Sequence, residues 1–163
     1  MSEAAAPGLA PELSPEAVEA LLDQELPATR WERLDQPRIS AFGELTGDHA
    51  PVHVDPASPE AAAFGGTIAQ GFLTLSLLTS MVYQTVPGIA GMTGLNYGFD
   101  RVRFIAPVPE GARVRGQFRL REVTRPASGQ LQLRWQVEME IEGHTRPALV
   151  AEWLARYVPA TGI

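Results

Sequence analysis

Apolar and polar residues alternate one for one in the second half of the chain. Over residues 131–141, Leu131, Leu133, Trp135, Val137, Met139 and Ile141 point one way and polar residues the other, which is the period of a half-buried strand. Over residues 113–121, Val114, Gly116, Phe118 and Leu120 alternate in the same manner with Arg113, Arg115, Gln117, Arg119 and Arg121. The linking TRPASG carries turn residues and predicts an antiparallel pair. The arginine side of the first run should then meet Glu138 and Glu140, each pair stabilising by at most ~1 kcal/mol. A strand over residues 97–105 precedes them, and another over residues 149–158 follows the turn EGHTRP.

The first half has helical period. Residues 69–88, AQGFLTLSLLTSMVYQTVPG, place Phe72, Leu73, Leu75, Leu77, Leu78, Met81, Val82 and Tyr83 on nearly every helical face. A helix apolar all round is a buried one, and Pro87-Gly88 ends it. Ile39, Phe42 and Leu45 recur every three residues and predict a short helix after Pro37 that stops at Gly47. Ser14-Pro15-Glu16 has the form of a helix start, with Ser14 as cap. That helix runs to about Leu22 with Val18, Leu21 and Leu22 buried. The segment GDHAPVHVDPASPEAAAFGG between them holds three prolines and three glycines and is irregular, apart from a short helix over residues 59–64. Residues 1–13 are rich in Ala and Pro without periodicity and read as a flexible tail before a single domain over residues 14–163. One long buried helix followed by at least four antiparallel strands makes an α+β domain, its sheet curved around the helix.

Composition narrows the function. A chain of 163 residues, 45% apolar and 20% charged, suits one globular domain that buries its core without staples. It has no cysteine, which excludes disulfides, thiolate catalysis and zinc sites built on sulfur. A net charge of -6 argues against an overall grip on nucleic acid. The start MSEAAAPGLAPELSP lacks the basic and apolar regions of a secretion signal. The longest apolar stretch, near residues 72–83, is interrupted by Thr74, Ser76, Thr79 and Ser80 and is too short for a membrane span. No membrane role is expected, and the cytoplasm is the default compartment.

The densest group of titratable residues on an irregular segment is TGDHAPVHVDP, with Asp48, His49 and His53. Stretched out, five residues would separate Asp48 from His53 by up to ~17 Å. Gly47 and Pro51 favour a bend that brings them together. Taken alone, the segment reads first as a surface turn in which Asp48 caps a helix and His53 is half buried. It also reads as a metal site of His49, His53 and Asp55, although Pro51 breaks the helix that would align the two histidines.

Three successive blocks, FGELTGDHAPVHVDP, FGGTIAQGFLTLSLL and NYGFDRVRFIAPVPEGARVRG, resemble the MaoC-like dehydratases, which include the (R)-specific enoyl-CoA hydratases. Order and spacing match over about residues 40–120. Asn96-Tyr97-Gly98, ahead of Arg103-Phe104 and Pro107-Val108, resembles the NodN-like branch. The resemblance implies a hot-dog fold and a homodimer with two helices back to back and the sheets joined. It implies addition of water to a trans-2-enoyl thioester, giving an (R)-3-hydroxyacyl product, or the reverse. The substrate is an acyl-CoA or acyl-carrier thioester, and no cofactor or metal is used. Asp48 and His53 are then the catalytic pair around one water. The backbone N–H of Gly71, at the start of the central helix, is the oxyanion donor. Free first-turn N–H groups and the helix dipole suit that role. Thr79 stands where relatives carry a hydroxyl supporting the histidine.

The chain departs from the family pattern at Ala50, where many relatives have Asn, and at Gln70, where His usually precedes the glycine. Gln70, Asn96 and Arg103 are secondary candidates for supporting or binding roles. Arg101, Arg103, Arg113 and Arg115 are candidates for coenzyme A phosphates, against a plainer reading as solvated or Glu-paired strand residues. His144 is expected at the surface, and Trp135 and Trp153 in the sheet core. A hot-dog thioesterase and a non-catalytic acyl-thioester-binding protein remain as alternatives.

Overall fold

The computed structural model describes residues 12–160, so the flexible tail expected over residues 1–13 lies almost wholly outside the described residues. Leu13 departs from that expectation: its N–H donates to the Gly88 carbonyl and its carbonyl accepts from Ala90 N–H, both at 2.8 Å. The helix expected over residues 14–22 is a single 3₁₀ segment, Ala17–Leu21. It is cut short because Leu22 bridges to Leu120 and Asp23 N–H donates to the Leu120 carbonyl at 2.9 Å. Val18 is buried as expected.

Five strands form one antiparallel sheet: β1 (Glu32–Arg33), β2 (Met92–Phe104), β3 (Arg113–Thr124), β4 (Leu131–Ile141) and β5 (Leu149–Pro159). Their spatial order is β1-β3-β4-β5-β2. The alternation read from the sequence is the burial alternation observed: Val114, Phe118 and Leu120 of β3 and all six apolar residues of β4 are buried on one face. On the other face Arg115 bonds Glu140 at 2.6 Å and Arg113 bonds Glu142 at 2.9 Å, while Glu138 stands opposite Gln117. Arg113 and Arg115 also flank the Trp31 ring. Their charges are thus engaged with carboxylates and an indole, which favours the plainer reading of both. β2 starts five residues earlier than expected, because two bulges, between Asn96 and Gly98 and between Phe99 and Arg101, break the alternation that would reveal it.

Helices α1 (Gln36–Thr46), α2 (Pro51–Val54), α3 (Pro59–Ala62) and α4 (Gly71–Thr85) complete the fold. The short helix expected to reach Phe64 ends at Ala62, ahead of Gly65 and Gly66, both at positive φ. Of the three apolar residues whose spacing predicts α1, Ile39 is buried and Leu45 is 83% exposed. α4 crosses the apolar face of the sheet. Gly116 allows the close approach: a Cβ there would lie 3.3 Å from Met81 Sδ and 2.9 Å from Phe118 Cε2. Leu73, Leu77, Leu78 and Met81 are buried against the sheet. The opposite face of α4 is not covered, contrary to the expectation of burial all round, with Phe72 69% and Tyr83 56% exposed. One sheet of five strands can cover only one side of a helix. This curled sheet with a single long helix across it is the hot-dog fold. Met81→Ala leaves a cavity between α4 and β3 and is expected to lower stability by roughly 2–5 kcal/mol, measured by urea unfolding.

Candidate active site

The site is assembled where regular elements end. Asp35 caps α1 by accepting from Arg38 N–H at 3.2 Å. At the other end Gly47 adopts the left-handed conformation, φ 77°, and its N–H returns to the Gly43 carbonyl at 2.8 Å. That reversal releases Asp48 from the helix. Pro51 then opens the one-turn helix α2, which carries His53. The five-residue path is thereby folded on itself, and Asp48 Oδ2 lies 3.9 Å from His53 Nε2. The Asp48 side chain is 43% exposed and that of His53 only 14%, so the pair faces solvent from one side.

His53 is held on three sides. Its Nδ1 lies 2.8 Å from the Ile68 carbonyl. A carbonyl only accepts, so Nδ1 carries the proton in the neutral ring and Nε2, facing Asp48, is left as an acceptor. Its own carbonyl accepts from Gln36 Nε2 at 2.8 Å, and Gln36 Oε1 accepts from Thr67 Oγ1 at 2.6 Å. Ile68 N–H also donates to the Val52 carbonyl at 3.1 Å. Gln36, Thr67 and the Ile68 main chain have no signature in the sequence. These bonds span 15 to 31 residues, and two of the three end on a main-chain carbonyl, which every residue type possesses.

Ile68 stands three residues before Gly71, the first residue of α4. Gln70 is the N-cap but gives α4 no side-chain cap. It is buried, its Nε2 donates to the Ile39 carbonyl at 3.1 Å, and its Oε1 has no partner. The first-turn N–H groups of α4 therefore lack the usual side-chain acceptor. A Cβ on Gly71 would sit 3.2 Å from the Phe104 ring, so Gly71 lies directly against the end of β2.

Thr79 is eight residues further on, about 12 Å along α4, and makes no bond to His53, whose Nδ1 is taken by Ile68. It lines a groove between α4 and strands β2 and β5 together with Asn96 and Trp153. Asn96 accepts a hydrogen bond from Trp153 Nε1. Arg103 is exposed, its guanidinium turned to the Val102 carbonyl at 2.9 Å. His49 pairs with Glu44 at 3.7 Å, and Asp55 accepts from Ala57 N–H at 2.9 Å. The metal reading of His49, His53 and Asp55 thus loses its geometry: among the described residues no three His, Cys, Asp or Glu side chains stand together as a ligand set. A cavity of about 410 Å³ is lined by Phe42, Thr46, Phe72 and Leu75, and a second of about 300 Å³ reaches Val86 and Tyr157; neither is lined by Asp48 or His53. Burial first, and Tyr83 second, push the Tyr157 phenol above its ordinary value, so it remains a neutral hydroxyl. Among the described residues no helix is long and apolar enough to cross a membrane.

Residues 17–134 match the model of the MaoC-like domain. The chain belongs to this family. The MaoC-like chain is 44% identical over 146 residues to "Nodulation protein N" of Rhizobium meliloti (strain 1021), covering 88% of this chain and 91% of that one. It is 43% identical over 130 residues to "3-hydroxyacyl-thioester dehydratase Z" of Mycobacterium tuberculosis (strain ATCC 25618 / H37Rv), covering 78% and 85%. Among solved structures it superposes on an (R)-hydratase from A. caviae with a TM-score of 0.64 at 25% identity, covering 82% and 94%. In this MaoC-like domain neither departure from the family pattern disturbs the Asp48/His53 pair. Ala50 provides the carbonyl that accepts from His53 N–H at 2.8 Å, a main-chain contact indifferent to its side chain, and Gln70 is turned to Ile39. Nitrogen-15 NMR of the imidazole rings, under conditions where His53 is neutral, is expected to show it as the Nδ1–H tautomer. An Nε2–H tautomer would contradict the Ile68 bond.

Proposed function

We propose that the protein adds water across the double bond of a trans-2-enoyl thioester to give the (R)-3-hydroxyacyl thioester, or runs the reverse dehydration. The observation that carries this reading is the pairing of Asp48 Oδ2 and His53 Nε2, two acceptors 3.9 Å apart. A water donating one O–H to each along straight bonds of ordinary length spans acceptors about 4.5 Å apart, and slightly bent bonds bring this to the observed 3.9 Å. Both of its protons are then engaged and a lone pair is left for carbon. In the forward direction the water oxygen bonds C3 as the pair takes one of its protons. The C2–C3 π electrons pass toward the thioester oxygen, and the proton held by the pair is returned to C2. Water is consumed whole, the step is redox-neutral, and the balance calls for no redox cofactor.

Negative charge on the thioester oxygen needs donors already in place. The uncapped N-terminus of α4, with Gly71 N–H first, supplies them and adds the favourable helix dipole. Arg103, exposed beside Phe104, is placed for the phosphates of the carrier, whether coenzyme A or an acyl carrier protein. The name of the dehydratase Z relative supports the thioester substrate class, and that of the (R)-hydratase structure supports the hydration chemistry.

A second copy of the chain completes the fold in this reading. β2 is one of the two edge strands of the sheet, and Leu95, Tyr97 and Phe104 on it, with Phe72 and Tyr83 of α4, are all exposed. Pairing of β2 with its counterpart would join the sheets and cover these side chains. Light scattering is expected to give twice the single-chain mass, and a monomer would refute the pairing.

With crotonyl-CoA and longer trans-2-enoyl-CoAs, the purified protein is expected to consume the enoyl absorbance. Asp48→Asn and His53→Ala are each expected to lower kcat/KM by roughly 10²–10⁴-fold with the thermal midpoint and assembly retained. Full activity in either variant sinks the assignment. Release of free thiol would indicate a thioesterase, and affinity without turnover an acyl-thioester-binding protein.

A further inference from the structure

We infer that Gln36 and Thr67 are positioning residues that hold Asp48 and His53 apart, and that without them the pair closes on itself and no longer admits water; this rests on the hydration reading above. A carboxylate and an imidazole free to approach make a direct, charge-assisted hydrogen bond of about 2.8 Å. Asp48 and His53 stand instead 3.9 Å apart. The neutral ring has one N–H proton and two acceptors that want it: the Ile68 carbonyl at Nδ1, 2.8 Å away, and the Asp48 carboxylate at Nε2. The carboxylate is charged and is the stronger acceptor. The carbonyl keeps the proton only as long as it is held against the ring.

The bonds around Ile68 show what holds it. The Thr67 carbonyl accepts from Glu110 N–H at 2.9 Å and Ala69 N–H donates to the Val108 carbonyl at 2.8 Å. These fix the segment against the loop between β2 and β3, but not against α2, which carries His53. Two links do that. One is the bond from Ile68 N–H to the Val52 carbonyl, at 3.1 Å. The other is Gln36, the first residue of α1. Its Oε1 accepts from Thr67 Oγ1 at 2.6 Å, while its Nε2 donates to the His53 carbonyl at 2.8 Å and to Ser40 Oγ at 3.1 Å. A carbonyl only accepts, so the amide can face His53 in one orientation alone. The main-chain N–H of Gln36 donates in turn to Glu110 Oε1 at 3.3 Å. Gln36, Thr67 and Glu110 thus close a ring of bonds, and the His53 carbonyl hangs from it.

The Gln36 clasp and the bond from His53 to Ile68 span the same gap, between α2 and residues 67–69. Thr67 is buried, so bulk water does not take over a bond lost there. With the clasp gone the gap is free to widen and the Nδ1 bond slackens. The proton then passes to Nε2, and the ring swings onto the Asp48 carboxylate. In that state Nε2 is a donor and Asp48 Oδ2 is occupied, so a water finds neither of its two acceptors. Gln36 and Thr67 reach His53 through its main chain and its neighbour, not through the substrate. Their loss therefore acts on turnover and leaves binding of the thioester in place.

The test compares the full chain with three variants. Thr67→Val keeps the side-chain volume and removes the hydroxyl, Gln36→Leu removes both arms of the amide, and Thr67→Ser keeps a hydroxyl. Nitrogen-15 NMR, under conditions where His53 is neutral, is expected to show the Nε2–H tautomer gaining at the expense of Nδ1–H in Thr67→Val and Gln36→Leu, and Nδ1–H prevailing in Thr67→Ser. With crotonyl-CoA, kcat is expected to fall roughly 10–100-fold in the first two, as for a misplacement of about 1 Å, while KM stays within about twofold. Thr67→Ser is expected to recover most of that loss. A retained thermal midpoint certifies each fold, and if Gln36→Leu does not fold, Thr67→Val against Thr67→Ser decides. An unchanged tautomer in either folded variant overturns the inference and leaves the hydration reading standing. So does kcat retained despite a changed tautomer, or a Thr67→Ser protein as impaired as Thr67→Val. Absence of turnover in the unmodified protein overturns the hydration reading, and the NMR comparison still decides whether the clasp holds the pair open.

Discussion

The hydrogen bond between the His53 ring and the Ile68 carbonyl is the constraint on which the candidate site depends. It joins the one-turn helix α2 to the strand-like approach of α4, and the reciprocal bond from Ile68 N–H to the Val52 carbonyl closes the junction in both directions. It also decides chemistry. By occupying Nδ1 it directs the free lone pair of the neutral ring at Asp48, so a single main-chain carbonyl selects the tautomer. Gln36 reinforces the junction from α1, with one end on the His53 carbonyl and the other on Thr67. Three segments distant in sequence are thus locked around one imidazole.

The fold separates what must be rigid from what must be open. The inner face of β3, β4 and β5 and one face of α4 form a continuous apolar core, and none of the proposed catalytic groups is drawn from it. Asp48 follows a helix end, His53 occupies a single turn, and Gly71 begins a helix. These are the places where backbone polar groups lack regular partners and side chains are free of the sheet's alternation. The second face of α4 and the outer edge of β2 stay uncovered in one chain.

Much of this was legible beforehand. β3 and β4 announce themselves by strict alternation, and α4 by apolar residues on nearly every helical face ahead of Pro87. The proximity of Asp48 and His53 was suggested by Gly47 and Pro51, but spacing alone allowed a cap or a metal site; kinship with MaoC-like proteins separated these. What escaped was non-local. The two-residue strand β1 is too short for any period to repeat. The first five residues of β2 are hidden by the bulge at Tyr97. The anchoring of Leu13 to Gly88 is a main-chain contact that no side-chain pattern encodes. Family resemblance implies that Thr79 supports His53, whereas Thr79 lines a groove with Asn96 and Trp153.

The bulges in β2 have a consequence for how the chain behaves at high concentration. A thirteen-residue strand with one unpaired side and several exposed apolar residues is the kind of template on which foreign strands stack into fibrils. Interruptions at Asn96/Gly98 and Phe99/Arg101 leave Met92–Asn96 as its longest evenly paired run, and each interruption bends the ribbon. A flat, unrelated strand cannot follow those bends. The kinks thus act against open-ended stacking of foreign strands on this edge.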